Sequence, residues 1–579
     1  MRLRLDEQPW YQLTTHFFRG LFDFGMLSDA GSDAFRRVLI GIVAVTLSFG
    51  LLLTRTYLSK YAALSEKYHD WGTGYQLNRE PYQLAVLGDS ALVIALPMLI
   101  VGVVVILVSN ALFPDDIDGR VLLSLPVSKR VVFTSKALAV MVFASIFALS
   151  AHVAMIPLVI LMWNSRWADQ GLSAQLVAHA LASLGASIVT ALAIMAVAGV
   201  LSISAPRTRL HVASIAFRGV ALCGLLLSIP LAFRLPTMGA LIARESPVFY
   251  LVPPIWFLGV EQLFLGKTTP YFLRLAQIAA VAGVVSFAVT VGSYLCLYQR
   301  FERVIFRSVT AGDTSRRPWA EFFRYQRARK LANAAIGPFI RATLTRSPLH
   351  QGVVVIITAC GAALVLNSFV SNWHARPLSN ADGSMMATVI WAPFALVFAM
   401  NVAVRAALLL PFELRANWIF RMTEDEATRA EEVGAVVRTL FLLAVVLPLA
   451  ILFPVEWAAL GRGAIHCTAI ALLCGLLLAE LQMAEWRRIP FTCSYAPSKQ
   501  SVWLTMLIGV AAFMAFTTIG SRLVSYSINH SVGWLAVMTV LGAVLLYLRR
   551  QRLWFSRRAA FMFEDVLPNE VEPLKLSEY

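Results

Sequence analysis

The sequence predicts an all-α polytopic membrane protein with about twelve transmembrane helices, arranged as two tandem six-helix halves with interfacial connecting helices. Of the 579 residues, 58% are hydrophobic and only 14% are charged, which leaves too few charges for a soluble surface of this size. The mean hydropathy is +0.70. The apolar residues also fall into runs of about 20, the length that crosses a bilayer as a helix.

The first half, residues 1–310, and the second half, residues 351–579, each contain six such runs. A basic cytoplasmic linker with an interfacial helix is predicted between them, at 311–350. Because six is an even number, both halves have the same orientation in the membrane. The predicted spans are 37–54, 90–112, 137–163, 174–205, 212–233 and 271–298, then 351–370, 386–410, 433–453, 465–483, 501–520 and 531–548.

The net charge of +16 follows the predicted topology. With the amino terminus inside, the inside loops hold roughly three times as many lysines and arginines as the outside loops, as the positive-inside rule expects. We therefore predict a multi-pass protein of a bacterial cytoplasmic (inner) membrane with both termini cytoplasmic. The lipid bilayer accounts for the basic excess, so nucleic acid is not an expected partner.

Two segments look interfacial rather than spanning. Residues 8–27 place aromatic residues and leucines around Arg19, a pattern typical of an amphipathic helix at the membrane surface. Residues 234–270 are apolar but interrupted by Pro247, Pro253 and Pro254. We predict that this second segment forms short external or re-entrant helices between the fifth and sixth spans.

No motif in the sequence indicates catalysis or a cofactor of the chain's own. The stretch "LGKTT" at 265–269 lacks the glycine that a phosphate-binding loop needs five residues before its Gly-Lys pair, because Glu261 stands there. The six cysteines form no CxxC pair, so a metal site is not expected. We expect no enzymatic activity, no catalytic residue and no bound metal.

The stretch "FPDDIDGRVLLSLPVSKR" at 113–130 is the most distinctive polar segment. It lies between the second and third spans on the predicted cytoplasmic side. Asp115, Asp116 and Asp118 suit the amino terminus of a short helix, and Ser128 suits the cap of the next helix. The apolar side chains between them favour a docking site for a partner protein. The other candidate contact residues are Arg120, Leu122, Leu125, Pro126, Lys129 and Arg130.

The second half carries a charged loop, "ANWIFRMTEDEATRAEEVGAV" at 416–436, in the matching place. It has more acidic residues and no Leu-Pro pair, so equal engagement of a partner by both loops is not expected. Its candidate contact residues are Glu413, Arg415, Arg421, Glu424, Asp425 and Glu426.

Acidic residues followed by "LLSLPVSKRVVFTSKAL", between the second and third of six spans, resemble the permease subunits of ABC transporters of the type-2, exporter-like class. In that family this loop forms a coupling helix that docks into a separate ATPase subunit. The family also has a connecting helix before the first span and short external helices before the sixth. The resemblance implies export of an unknown substrate, with ATP and Mg bound by the partner ATPase.

Ionisable residues inside predicted spans are candidates for a translocation path. The arginines and the glutamate lie near predicted helix ends, where snorkelling or helix pairing is the alternative interpretation. The histidines lie deeper, where they are either satisfied core residues or cavity linings. These candidates are His152, His179, Arg218, Arg405 and Glu480.

Two other classes remain open. A secondary transporter of the major facilitator type also has two six-helix halves, but the sequence keeps only "DGR" at 118–120 of that family's loop signature, and no acid was placed at a helix centre. A membrane enzyme would need a paired site in the loops 55–89 and 234–270, whose acids, including Glu80, Glu245 and Glu261, are interpreted as solvated. A non-translocating assembly subunit with a degenerate second half is a further alternative.

Overall fold

The computed structural model describes most of the chain. The described residues are 8–21, 31–67, 80–113, 127–163, 168–204, 207–308, 336–372, 383–410, 429–492 and 502–562, together with Phe420, Met422 and Glu426.

The described residues form helices and no strands. Short 3₁₀ turns lie at Ser109–Ala111, Leu235–Met238 and Pro247–Leu251. The α-helices are α1 (Pro9–Gly20), α2 (Gly31–Lys67), α3 (Glu80–Leu107), α4 (Lys129–Met162), α5 (Leu172–Ser204), α6 (Arg207–Ala232), α7 (Gly239–Ala243), α8 (Pro253–Phe264), α9 (Pro270–Ser308), α10 (Ile336–Arg346), α11 (Pro348–Asn372), α12 (Gly383–Leu409), α13 (Arg429–Leu440), α14 (Leu447–Leu460), α15 (Gly463–Gln482), α16 (Val502–Asn529) and α17 (Ser531–Arg558).

Within the described residues, 11 helices are long and apolar enough to cross a membrane. They match the predicted spans from the second to the twelfth, so the prediction of an all-α polytopic membrane protein is confirmed. The remaining predicted span, 37–54, lies inside α2 but is not among the 11. A π-helical turn at Phe441–Val446 joins α13 to α14 within one long span.

The chain divides into two compact units, residues 1–314 and 315–579. In each unit, the second predicted span is the central helix. These two helices, α3 and α12, are the most enclosed of the 11 candidate spans. In each unit an amphipathic helix, α1 or α10, also packs against the start of the third span, α4 or α13. The two units therefore share an order of elements and an enclosed second helix.

The segment 235–264 of the first unit forms two 3₁₀ turns and two short helices, as the proline spacing predicts. Its apolar residues Ile242, Phe249, Ile255 and Leu258 are buried in one cluster with residues of α3, α4 and α5. Burial of these four apolar side chains holds the segment against the first half of α3. It lies toward the opposite end of the unit from Phe113, because its contacts with Leu84 and Gly88 are about 30 Å along α3 from Leu107, where the helix ends.

Gly239 allows this segment to touch the backbone of α3. A Cβ atom on Gly239 would lie 2.0 Å from the carbonyl oxygen of Leu84, whereas one on Gly224 in α6 would meet nothing within 4 Å. We expect Gly239→Ala to lower the free energy of unfolding by about 1–3 kcal/mol, the usual cost of overpacking. The control Gly224→Ala should raise it by about 0.5–1 kcal/mol. Unfolding in detergent measures both, and equal effects would contradict the close contact.

Candidate functional site

The loop 114–126 leaves α3 at a buried anchor. Phe113 packs on the ring of Tyr294 in α9 with 4.8 Å between ring centroids. The Tyr294 hydroxyl donates a hydrogen bond to the carbonyl oxygen of Leu112. A buried ring pair with a satisfied hydroxyl holds one backbone position firmly. The first end of the loop is therefore fixed to α9.

The second end of the loop is fixed to the connecting helix α1. Val127 packs against the buried cluster of Phe17, Val132 and Ala139, and the Ser128 side chain caps α4 by accepting from the Val131 amide. Ser135 donates to the carbonyl oxygen of Trp10 at 3.1 Å. The Lys136 ammonium lies 4.4 Å from the Phe17 ring centroid, a cation–π contact. The predicted capping role of Ser128 is confirmed.

The second unit anchors its corresponding loop differently. His350 contacts the carbonyl oxygen of Leu410 through Nε2 at 3.2 Å, and its Nδ1 lies 2.6 Å from Ser347 Oγ. The Phe491 amide donates to the Leu408 carbonyl, and Phe339 contacts both Phe420 and Phe491. Residues 486–491 are thus largely buried, and Phe491 packs against α10 and the end of α12.

Most predicted contact residues of the two loops lie outside the described part of the chain. Of those described, Lys129 lies 4.7 Å from the ring centroid of Tyr298, and Arg130 and Glu426 are exposed. Those outside the described residues are Asp115, Asp116, Asp118, Arg120, Leu122, Leu125, Pro126, Glu413, Arg415, Arg421, Glu424 and Asp425.

Two predicted path residues, His152 and His179, come together inside the first unit. Their rings stack with centroids 5.4 Å apart and planes 21° apart. His179 Nδ1 lies 3.3 Å from an oxygen of Glu261, and the Gln175 amide donates to the other oxygen at 3.1 Å. A polar chain therefore joins α4, α5 and α8 in an otherwise apolar interior.

Glu261 corrects the sequence interpretation. It was predicted to be a solvated loop acid, but its exposed fraction is 0%. It follows the buried Phe257 and Leu258 by one helical turn on α8, so it faces the interior with them. The sequence analysis predicted short external or re-entrant helices here but interpreted their acids as solvated, and it therefore missed this acid.

A second acid that the sequence interpretation missed is Asp89, which is fully buried within α3. Lys60 Nζ donates to its two oxygens at 2.8 and 2.7 Å, and the Tyr61 hydroxyl donates at 2.6 Å. The Lys60 ammonium also lies 5.1 Å from the Tyr57 ring centroid. All of these donors come from α2, so Asp89 ties α2 to α3.

The other predicted path residues are not brought together. Glu480 forms a buried ion pair with Arg552, whose Nε donates to it at 2.6 Å and Nη2 at 3.4 Å; this joins α15 to α17. Arg218 is buried on α6, and Arg405 is half-buried on α12. Helix pairing, one of the two interpretations for Glu480, is what the structure shows.

The second unit also holds a buried acid in its third span. Glu456 is 1% exposed and accepts a hydrogen bond from Thr468 at 2.8 Å. In both units, a buried polar contact thus joins the third span to the fourth: His152 to His179 in one and Glu456 to Thr468 in the other. Within the described residues, no group of three or more His, Cys, Asp or Glu side chains is placed to hold a metal ion.

No family model, no curated protein and no solved structure matches this sequence. The architecture is that of a multi-pass helical membrane protein. It supports a transporter-like role without distinguishing one class of transporter from another.

Proposed function

We propose that the chain is the membrane-spanning permease component of an ABC-type exporter. Separate ATP-binding cassette subunits would bind ATP and Mg and dock on the loops 113–130 and 411–432. ATP hydrolysis would shift the helices and open a path for an unidentified substrate across the bacterial cytoplasmic membrane, with both termini of this chain cytoplasmic. The anchoring of both ends of the loop 114–126 carries this proposal.

The anchors matter because a docking loop must pass force to the membrane helices. Phe113 ties its first end to Tyr294 on α9. At its second end, Val127 packs against the cluster that Phe17 of α1 forms with two residues of α4. Packed interiors deform little and transmit displacement. A push on this loop would therefore move the ends of α3, α4 and α9 together, whereas a loosely attached turn would absorb it.

A photocrosslinking experiment tests the docking. We expect p-benzoylphenylalanine at Leu125, in the full chain in its own host, to crosslink to a protein with Walker motifs and no membrane span. The matched control is Leu251, which is 83% exposed at the opposite end of the first unit and should not crosslink to that protein. A probe at Met422, 78% exposed, reports on the second loop.

Activity and association complete the test. The purified complex should hydrolyse MgATP, and Leu125→Asp should weaken the binding of the ATPase by at least about a hundredfold, since a buried charge costs several kcal/mol at a docked interface. Circular dichroism should show an unchanged helix content for that variant. Undiminished association of Leu125→Asp, together with equal crosslinking at Leu125 and Leu251, would defeat the proposal.

A gradient-driven transporter of the major facilitator type is the second candidate. The sequence interpretation placed no acid near the centre of a membrane helix, where it could couple protons, but Asp89 and Glu456 are buried in candidate spans. Asp89 is already paired with Lys60, which leaves Glu456 as the observation that favours this alternative. Transport that persists without ATPase and stops when the ion gradient is collapsed would select it.

A further inference from the structure

The polar chain of Gln175, Glu261, His179 and His152 has no part in the docking of an ATPase. It is buried among apolar side chains of α3, α4, α5 and α8. Two nitrogens of this chain, His152 Nδ1 and His179 Nε2, are buried and make no hydrogen bond within the described part of the protein. The same is true of Oε1 of the neighbouring Gln262. Buried polar groups without partners indicate a site for a small ligand such as water, an ion or a proton.

The charge of the buried groups indicates which ligand the site binds. Glu261 is 0% exposed, and among the described residues its ion partner is His179, with no lysine or arginine. A bare carboxylate in such a place is costly, whereas a pair with no net charge is not. Both neutral arrangements of Glu261 and His179 contain one proton, either on the imidazole as imidazolium or on the carboxyl group.

We propose that Glu261 and His179 form a proton-binding site that holds one proton shared between them. The proton moves over the 3.3 Å between His179 Nδ1 and Glu261 Oε2, so imidazolium and carboxylate become imidazole and carboxylic acid with no change in net charge. His152 stacks on His179 and disfavours a second positive charge beside it. The site therefore takes one proton and not two.

A small cavity supplies the route to solvent. It has a volume of about 60 Å³ and is lined by Tyr82, Gln83, Trp163, Gln175 and Gln262, among others. That volume holds a few water molecules beside polar partners. Gln175 lines the cavity and also donates to Glu261, so water there lies one side chain from the carboxyl group.

Other titratable groups around the site have their own partners or lie at its edge. Asp89 on α3 is paired with Lys60 and Tyr61. Asp169 and Lys267 line the cavity and are exposed. Further titratable groups on the described parts of the packed elements near this end include Glu80 and Tyr82 on α3, Tyr271 and Arg274 on α9, and Arg244, Glu245 and Tyr250 in the connecting segment.

Infrared difference spectroscopy of the purified full chain in detergent tests the site directly. Difference spectra between H₂O and D₂O should show one exchangeable buried proton, seen as a protonated-carboxyl band, an imidazolium band or both. Glu261→Gln should abolish that signal, because the amide imitates the neutral acid. Glu245→Gln removes an exposed acid of the same segment and should leave the signal unchanged. A signal that survives Glu261→Gln overturns the proposal.

Thermal unfolding gives an independent measure. Sodium chloride and choline chloride are expected to raise the melting temperature of the wild type equally. If sodium chloride raises it more, and Glu261→Gln removes that difference, a metal cation occupies the site and the proposal fails.

The proton site and ATPase docking fail separately. Loss of crosslinking at Leu125 would leave the infrared signal of Glu261 in place. An unchanged infrared signal in Glu261→Gln would leave the docking of an ATPase on the loop 114–126 in place.

Discussion

Lys60→Met is expected to lower the free energy of unfolding by about 3–5 kcal/mol, the usual cost of removing one partner from a buried ion pair. The variant removes the Lys60 ammonium but leaves the Asp89 carboxylate fully buried. Of the two side chains that donate hydrogen bonds to this carboxylate, only Tyr61 then remains. The carboxylate can then become neutral only by taking up a proton, which is itself costly at pH 7. Chemical unfolding of the purified protein in mixed micelles measures the loss.

The opposite change at this pair should cost much less. Asp89→Asn keeps an oxygen for the Tyr61 hydroxyl, and the Lys60 side chain, 35% exposed, can turn its ammonium toward solvent. We expect a loss of about 1–2 kcal/mol. The double variant Lys60→Met/Asp89→Asn should be more stable than Lys60→Met alone, because it removes the stranded charge. Equal losses for the two single variants would show that burial of the carboxylate is not the cause.

Glu480→Gln is expected to have an effect of similar size in the second unit. It leaves the guanidinium of Arg552, 4% exposed, without its carboxylate, and arginine cannot lose its proton in a protein. Removing one partner in this way typically costs about 3–5 kcal/mol. Unfolding in detergent measures the effect, and the midpoint of Glu480→Gln should be lower than that of the wild type. The helix content of the variant should be unchanged at low temperature.

The controls for Glu480 use the chemical difference between the partners. Arg552→Gln leaves a carboxyl group that can take up a proton, so its cost should be smaller than that of Glu480→Gln. Glu485→Gln removes an exposed acid near the end of the same helix and should change stability by less than about 0.5 kcal/mol. If Glu480→Gln resembled Glu485→Gln, the ion pair would contribute nothing to the fold.

The spans could be predicted because each is a local property of the sequence. A run of about 20 apolar residues needs no partner to be recognised, and 11 of the predicted spans recur in the structure. The short helices before α9 were likewise predicted from the positions of Pro247, Pro253 and Pro254. In these places, composition and backbone restriction decide the outcome without tertiary information.

The buried polar contacts could not be predicted because each joins residues far apart in the chain. Lys60 and Asp89 are separated by 29 residues, and His179 and Glu261 by 82. Asp89 also stood one residue before the predicted second span, so it was not counted as lying within the membrane. A usable signal did exist for Glu261, since it follows Phe257 and Leu258 at helical spacing. The acids of that segment were all interpreted as solvated loop charges, so this spacing was not used.

The π-helical turn at Phe441–Val446 has a consequence for comparing residues between the two units. Its i→i+5 hydrogen bonds take in one residue more than an α-helical turn does. Residues after Val446 are therefore rotated by about 100° relative to a continuous α-helix. An alignment of α4 with α13 and α14 therefore needs a one-residue gap in this stretch. Without the gap, a residue chosen in α14 as the equivalent of one in α4 would lie on a different face of its helix.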